Sequence, residues 1–297
     1  MSRDQGNGQD GRINSILIVG GGSAGWLAAA YLRRVIDTIA DAPVDITLVE
    51  SEEIGTIGVG EATVITLRDM LKVLGVTEPR FLKQCDATFK HGIRFRGWRT
   101  GADDDRFFHS FEAPSMGDGH SIVQHWVAAR LRCEEAEPFD IAVGVQAALA
   151  DGARAPKMWN SHPYEAPVPY AYHIDAGLFA RLLQDVAVGG GVRRIQDTVE
   201  RVDAEGERIT AVHTRAHGAL TADLYIDCSG FRSLLLGAAL GEPLVDYAKN
   251  LPCDRAVALR LPHAPNSPLR PYTTATVVET GWIWDLDLQS RRGTGHV

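Results

Sequence analysis

The N-terminal part of the chain changes from a strand-like pattern to a helical one and back. Residues 16–19 are a short apolar run followed by glycines, residues 24–36 are rich in Ala and Leu at helical spacing, and residues 44–50 alternate as a strand does. This order predicts a βαβ unit.

Later segments continue the alternation. Asp175 precedes a helix with one apolar face, formed by Leu178, Phe179, Leu182, Leu183 and Val186, and Gly189, Gly190 and Gly191 end it. The pattern further predicts helices at 61–74, 121–132 and 232–240, strands within 192–214 and at 223–227, and mostly β-structure from 256 to 297. Residues 100–119 read as loops, and the proline-rich stretch 155–169 as a long connection or the edge of a substrate-binding insertion. The fold class is therefore α/β.

Composition narrows the class of protein. The 297 residues are 45% hydrophobic and 23% charged, as in ordinary globular proteins, and the net charge of -8 disfavours nucleic acid. Residues 1–14 contain no apolar segment and are expected to be a disordered tail. No run reaches the roughly 18 apolar residues of a membrane span. The cysteines Cys85, Cys133, Cys228 and Cys253 are widely spaced, which predicts no metal site and fits a reducing cytoplasm.

A glycine motif lies between the first predicted strand and helix. Gly20, Gly22 and Gly25 have the GxGxxG spacing that allows a tight turn, close approach of a diphosphate and close packing of helix on strand. The helix N-terminus then offers N–H groups and a positive dipole end to the phosphates. Glu50, at the end of the next strand, is placed to bind ribose hydroxyls. The motif alone leaves FAD, NAD and a turn without a ligand open.

Seven segments in one order are similar to the flavin-dependent halogenases of the tryptophan halogenase family. They are residues 20–26 (GGGSAGW), 58–63 (GVGEAT), 89–95 (FKHGIRF), 172–177 (YHIDAG), 227–232 (DCSGFR), 251–254 (LPCD) and 281–284 (GWIW). The resemblance implies a doubly wound, FAD-binding fold related to aromatic flavin monooxygenases, with a β-rich and helical portion on the substrate side. It also implies one domain over residues 15–297, with residues 100–170 contributing to the substrate-binding region.

The reaction that the resemblance implies uses reduced FAD from a separate flavin reductase, oxygen, and chloride or bromide as co-substrate. Hypohalous acid then halogenates an electron-rich aromatic ring. The residues expected to hold FAD are Gly20, Gly22, Ser23, Ala24, Gly25 and Glu50 at one end, Gly60, Glu61, Ala62 and Thr63 near the flavin, and Val199 at the adenine end.

Lys90 matches the active-site lysine of the family. Its amine can hydrogen-bond hypohalous acid or form a haloamine, and the second route needs the neutral amine, which burial favours. The alternative is a surface lysine in an ion pair.

Aromatic residues complete the resemblance. Trp282 and Trp284 match the two tryptophans of the family's WxWxIP signature, which separates flavin from substrate, but Leu286 and Asp287 stand where the family has Ile and Pro, and we expect a changed turn there. Two tryptophans on one face of a strand are also common in cores. His109 and Phe111 resemble the His-x-Phe of the indole pocket; a buried Phe beside a loop His is the alternative.

Family members continue well past the position that corresponds to Val297, and we expect the chain to be truncated at its C-terminus. Two other functions therefore stay open beside halogenation: an aromatic flavin monooxygenase, and an inactive FAD-binding fragment. The sequence leaves the substrate open among tryptophan, other indoles, phenols and pyrroles, and it does not choose between chloride and bromide.

Overall fold

The computed structural model describes residues 12–53, 59–117, 119–132 and 135–297, which divide into two compact units. The first contains the described residues up to 53 together with 183–245, and the second contains 59–182 together with 246–297. The assignment of one domain to residues 15–297 stays a prediction. Within the described ranges, no helix is both long and apolar enough to cross a membrane.

The strands are numbered in chain order. They are β1 Ser15–Val19, β2 Asp45–Glu50, β3 Gly60–Ala62, β4 Thr88–Lys90, β5 Gly92–Arg96, β6 Arg106–Ser110, β7 Met116–Gly117, β8 His120–Ser121, β9 Ala171–Asp175, β10 Arg193–Gln196, β11 Val199–Glu205, β12 Arg208–Thr214, β13 Gly218–Leu220, β14 Leu224–Asp227, β15 Val257–Leu261, β16 Thr273–Val278, β17 Gly281–Asp287 and β18 Arg292–His296. The helices are α1 Ser23–Ile39, α2 Leu67–Val73, α3 Glu78–Gln84, α4 Ile122–Leu131, α5 Phe139–Ala142, α6 Gln146–Asp151 and α7 Ala176–Gly189.

The first unit is built on a parallel sheet. Among the described residues its strands follow the order β10-β2-β1-β14, and α1 connects β1 to β2. Four of the five residues of β1 are buried, as expected for a central parallel strand covered on both faces. The predicted βαβ unit is confirmed. A second sheet, β11-β12-β13, is antiparallel, and its Ile209 and Val212 share a core cluster with Leu17, Val19 and Val49.

The second unit holds a mixed sheet in the order β15-β18-β17-β16-β5-β6 and a smaller antiparallel sheet in the order β3-β9-β4, as far as its residues are described. In the mixed sheet β16 pairs with β5 in parallel, and the other pairs are antiparallel. The prediction that residues 256–297 are mostly β is therefore confirmed. Strand β4, which ends at Lys90, lies at the edge of the smaller sheet.

One predicted helix begins later than expected. Residues 61–74 were expected to be helical, but Gly60–Ala62 forms strand β3 against β9, and helix α2 begins only at Leu67. The reason is tertiary pairing. The backbone N–H and side-chain hydroxyl of Thr63 both donate to the carbonyl of Tyr172, so this segment is hydrogen-bonded across the sheet and not along a helix.

Two further segments differ from the prediction. Residues 106–110 lie in a stretch expected to be loop, yet they form β6, where the Phe107 ring stacks on Phe95 of β5 at 4.8 Å between centroids. Residues 232–240 do not form an α-helix: a 3₁₀ turn, Gly230–Arg232, is followed by a π-helical turn, Leu234–Ala239. Asp227 accepts hydrogen bonds from the N–H groups of Leu235 and Leu236, which fixes this unusual start.

The helix after Asp175 agrees with its prediction. Asp175 Oδ1 accepts a hydrogen bond from the N–H of Leu178 at 3.0 Å, the contact expected of an N-terminal cap. Phe179, Leu182 and Leu183 are buried on its apolar face. Helix α7 ends at Gly189, and Gly191 has φ +97, a conformation that glycine adopts without strain.

Candidate active site

Two glycines of the turn after β1 are required by the protein's own backbone. Gly20 has φ +114, and a Cβ there would lie 2.1 Å from the carbonyl oxygen of Cys228. A Cβ on Gly25 would lie 1.9 Å from the carbonyl oxygen of Gly20, which closes the turn against the first turn of α1. Any larger residue would push the strand and helix apart.

Gly22 differs from these two glycines. A Cβ on Gly22 would meet no atom of the described residues within 4 Å, and its φ of -73 is accessible to any residue. Gly22 is the N-cap of α1, so no capping side chain covers the helix N-terminus there, and the first turn of α1, which includes Ser23 and Ala24, carries no acidic residue. Open space at the N-terminus of a helix, where the dipole is positive, is what a diphosphate requires.

Glu50 lies beside the same turn. A Cβ on Gly21 would fall on the Glu50 carboxylate, so the close approach of this side chain depends on glycine. Its oxygens accept hydrogen bonds from Trp26 Nε1 at 3.2 Å and from Arg194 Nε at 2.6 Å. These bonds hold the carboxylate at the end of β2, and its contact with a ribose stays a prediction. Val199 begins β11 opposite Thr214 and is partly buried.

The segment expected near the flavin starts with strand β3. Gly58 lies outside the described residues. A Cβ on Gly60 would lie 2.9 Å from Leu286 Cδ1, so Gly60 allows β3 to approach that side chain. Glu61 and Ala62 are exposed, whereas Thr63 is partly buried and turns its carbonyl toward Lys90.

Lys90 is a buried lysine. Its side chain is almost fully enclosed, its Nζ donates a hydrogen bond to the carbonyl of Thr63 at 3.0 Å, and it lies 5.2 Å from the centroid of the Phe111 ring. Within the described part of the chain no carboxylate forms an ion pair with it. The alternative of a surface, ion-paired lysine is therefore wrong.

Burial changes the acid–base behaviour around this amine. It lowers the pKa of Lys90 from 10.5 to about 8, because the charged form loses its hydration. The pKa of His173 is lowered to about 3, first by burial and then by the positive charge of Lys90. At neutral pH His173 is therefore an uncharged neighbour, and a substantial share of Lys90 is neutral at slightly alkaline pH.

The His173 ring takes part in a directed chain of hydrogen bonds. The Thr88 hydroxyl donates to the carbonyl of Asp287 at 2.5 Å, so it accepts from His173 Nδ1 at 3.2 Å. His173 Nε2 in turn accepts from the Thr273 hydroxyl at 3.0 Å. These residues were not predicted as part of the site. The available signal was the alternation of β4, which puts Thr88 on the same buried face as Lys90.

The two pocket residues have different positions. Phe111 follows β6 and is near Lys90, held by a hydrogen bond from its N–H to the carbonyl of His91 at 3.2 Å. His109 pairs with Ile93 across β5 and β6, and its side chain is exposed. The structure thus brings Phe111 to the lysine, while a pocket role for either residue stays a prediction.

Trp282 and Trp284 lie side by side on β17, with ring centroids 6.3 Å apart, and both are partly buried. Trp284 covers Gly295 of β18, where a Cβ would lie 2.0 Å from the ring. The changed turn expected after them is absent from the described structure. Strand β17 continues through Leu286 and Asp287, which pair with Gly293 and Arg292.

Comparison with known proteins gives one consistent result. Residues 15–297 match the family model described as tryptophan halogenase. The chain is 37% identical over 309 residues to tryptophan 6-halogenase SttH of Streptomyces toxytricini, with 96% of this chain and 57% of the relative covered. It is also 37% identical to tryptophan 7-halogenase RebH of Lentzea aerocolonigenes, over 97% of this chain and 56% of the relative.

Solved structures agree with the sequence matches. Tar14, a tryptophan C-6 flavin-dependent halogenase (chlorinase) from taromycin biosynthesis, matches with a TM-score of 0.86 and 42% identity over 96% of this chain and 56% of its own. The predicted FAD-binding α/β fold class is supported by these neighbours. The chain spans little more than half the length of the relatives it matches.

Proposed function

The chain belongs to the tryptophan halogenase family, and from this we propose that its function is flavin-dependent halogenation of an electron-rich aromatic ring. Lys90 is the catalytic residue of the proposal. The observation that carries it is the setting of this lysine: buried, without a carboxylate partner among the described residues, and bounded by the Thr63 carbonyl and the Phe111 ring.

The setting of Lys90 suits the transfer of an electrophilic halogen. A charged amine donates a hydrogen bond to hypohalous acid and makes its halogen more electrophilic. A neutral amine reacts with the acid to give a haloamine and water, with the N–halogen bond formed as the O–halogen bond breaks. The pKa of Lys90, lowered by burial to about 8, makes both forms accessible near neutral pH. The Thr63 carbonyl fixes the nitrogen in either form.

FAD is the proposed cofactor, and the residues at the glycine turn fit it. Gly20 and Gly25 shape the turn, Gly22 leaves open space at the N-terminus of α1, and Glu50 lies beside it. The first turn of α1, with Ser23 and Ala24, would hold the diphosphate, Val199 would hold the adenine end, and residues 60–63 would hold the flavin. Reduced FAD would supply, with oxygen, the oxidising power that converts halide to hypohalous acid.

Two further roles belong to the proposal. Trp282 and Trp284 form a wall between flavin and substrate, and their packing on Gly295 and beside each other suits a rigid partition. His109 and Phe111 line the substrate pocket. The substrate is a small aromatic compound, with tryptophan or a related indole as the class that the relatives' names suggest, and reduced flavin comes from a separate flavin reductase. Because two relatives are named for different ring positions, the carbon halogenated stays open.

The direct test compares Lys90→Ala with Lys72→Ala, a matched control on the exposed side of α2. Each protein receives FAD, a flavin reductase with its reductant, oxygen, bromide or chloride, and a panel of indoles, phenols and pyrroles. We expect Lys90→Ala to lose halogenated product by about a hundredfold or more, while flavin oxidation continues and Lys72→Ala matches the unsubstituted chain. Ring halogenation retained in Lys90→Ala would remove Lys90 from this role.

Halide dependence separates the proposal from an aromatic monooxygenase. We expect brominated or chlorinated product only when the corresponding halide is present. Hydroxylated product formed without any halide would support the monooxygenase. Titration with FAD, followed by flavin fluorescence, addresses the third function: binding without turnover would indicate a non-catalytic flavin-binding chain.

A further inference from the structure

The end of strand β17 carries a buried carboxylate that none of the roles above uses. Asp287 is almost fully buried and accepts three hydrogen bonds from one residue, Arg270. The Arg270 Nε and backbone N–H reach Oδ2 at 2.9 and 2.8 Å, and Nη2 reaches Oδ1 at 2.6 Å. Arg270 Nη1 also binds Asp285 at 3.0 Å. Burial raises the pKa of Asp287, but the bonds from Arg270 outweigh it and lower the pKa overall.

Asp287 contacts strand β4 on the N-terminal side of Lys90. The backbone carbonyl of Asp287 accepts from the hydroxyl of Thr88, two residues before Lys90 on the same face of β4. The residues after Asp287 continue the contact. Gln289 donates to the carbonyl of Ala87 at 2.8 Å, so the end of β17 is attached along the start of β4.

Arg270 is connected to His91, the residue after Lys90. Arg270 is followed by Pro271, whose carbonyl accepts a hydrogen bond from the N–H of His91 at 2.8 Å. Because the guanidinium and the N–H of Arg270 are both bound to Asp287, the direction of the Pro271 carbonyl is fixed by the same carboxylate. The residues of one ion pair are therefore connected by hydrogen bonds to both sides of the lysine, in addition to the pairing of β4 with β9.

We propose that Asp287, held by Arg270, is a positioning residue that fixes the backbone around Lys90 and keeps its amine enclosed against the Thr63 carbonyl and the Phe111 ring. This inference rests on the proposed function of Lys90. It also gives a role to a residue that departs from the family signature: a proline at position 287 has no carboxylate with which to hold Arg270.

In this proposal the Asp287–Arg270 pair affects the pKa of Lys90 by keeping its amine packed away from water, and not by charge. The two mechanisms predict changes of the Lys90 pKa in opposite directions when Asp287 is replaced. Deleting a nearby negative charge lowers the pKa of an amine, whereas loosening its enclosure admits water and raises it. The charged and titratable groups around the network are His173 on β9, Asp285 and Asp287 on β17, Arg270 before β16, Arg292 on β18 and His263 after β15.

The test uses the full chain with lysine labelled by ¹⁵N at Nζ, and it follows the titration of the Lys90 signal by NMR without flavin, halide or substrate. Lys90→Arg assigns the signal, and the signals of Lys72, Lys83, Lys157 and Lys249 are internal references. We expect Asp287→Asn to raise the pKa of Lys90 by about one unit, a tenfold change in the ratio of charged to neutral amine. Asp254→Asn, at an exposed ion pair, is the matched control and should leave it unchanged.

A second pair of variants keeps the test decisive if Asp287→Asn does not fold. Thr88→Val has nearly the same shape without the hydroxyl, and it should raise the pKa of Lys90, whereas Thr88→Ser should restore the value of the unsubstituted chain. An unchanged or lowered pKa in folded Asp287→Asn or Thr88→Val would overturn the inference. Since no turnover is measured, this result is independent of whether the chain halogenates any substrate.

Discussion

The turn at residues 20–25 takes its shape from main-chain atoms, whereas the surroundings of Lys90 come from side chains and carbonyls on separate segments. In the turn, the atoms that exclude a Cβ at Gly20 and Gly25 are backbone carbonyl oxygens. At Lys90, the contacts come from Thr63 after β3, Phe111 after β6 and the network that ends at Asp287. Substitutions in the turn are therefore expected to act through steric clash with the main chain. Substitutions around Lys90 are expected to act by letting water reach the buried amine.

The largest loss of stability is expected at Gly20, where the turn has no room for a side chain. Gly20→Ala places a Cβ against the Cys228 carbonyl and forces a backbone with φ +114 on a non-glycine residue. We expect the free energy of unfolding to fall by about 3 kcal/mol or more. Urea denaturation measures it. A loss below about 1 kcal/mol would show that side chains, and not the main chain, determine this turn.

Lys90→Met tests the second region, the surroundings of Lys90. Removing the buried amine should stabilise the fold. The folded-state pKa, about 8, is below the ordinary 10.5, so the unfolded chain binds this proton more tightly. The cost of burying the charge is complete below pH 8 and disappears as the pH rises toward 10.5.

The measurement is the difference in unfolding free energy between Lys90→Met and the unsubstituted chain across this pH range. We expect the advantage of the variant to shrink by about 3 kcal/mol between pH 7 and pH 11. A difference that does not change with pH would mean that water reaches the amine in the folded chain.

Gly22→Ala sharpens the comparison within the turn. Since a Cβ at Gly22 meets no described atom within 4 Å, we expect a loss of stability below about 1 kcal/mol, as for an ordinary N-cap change. FAD affinity should fall by about tenfold, because the new methyl group occupies the space proposed for the diphosphate. Fluorescence titration against the unsubstituted chain measures this. Equal affinities would mean that the diphosphate does not approach Gly22.

The smallest effect is expected at Phe111. Its ring lies 5.2 Å from the Lys90 nitrogen, and such a contact favours the charged amine by about 0.5–1 kcal/mol. Phe111→Leu keeps an apolar side chain but removes the ring, so the pKa of Lys90 should fall by about half a unit. The same ¹⁵N titration measures it. A rise would show that Phe111 acts by excluding water, as Asp287 is proposed to do.

Local patterns predicted the elements whose partners are near in sequence. The βαβ unit follows from residues 15–50 alone, and the Asp175 cap lies three residues from the N–H it binds. Two of the wrong predictions share one cause. Residues 61–62 and 106–110 form strands because β9 and β5 offer them hydrogen bonds across a sheet, and the periodicity within each segment does not record those partners.

The candidate site divides in the same way. The sequence by itself determined the glycine turn and, through its motif, Lys90, because glycine spacing and residue identity are local properties. Only the tertiary structure decided that Lys90 is buried, that Phe111 and not His109 lies beside it, and that Asp287 continues the tryptophan strand as part of an ion pair with Arg270. Burial and ion pairing depend on which segments lie together in space. The desolvation that lowers the pKa of a lysine exists only once those segments enclose its amine.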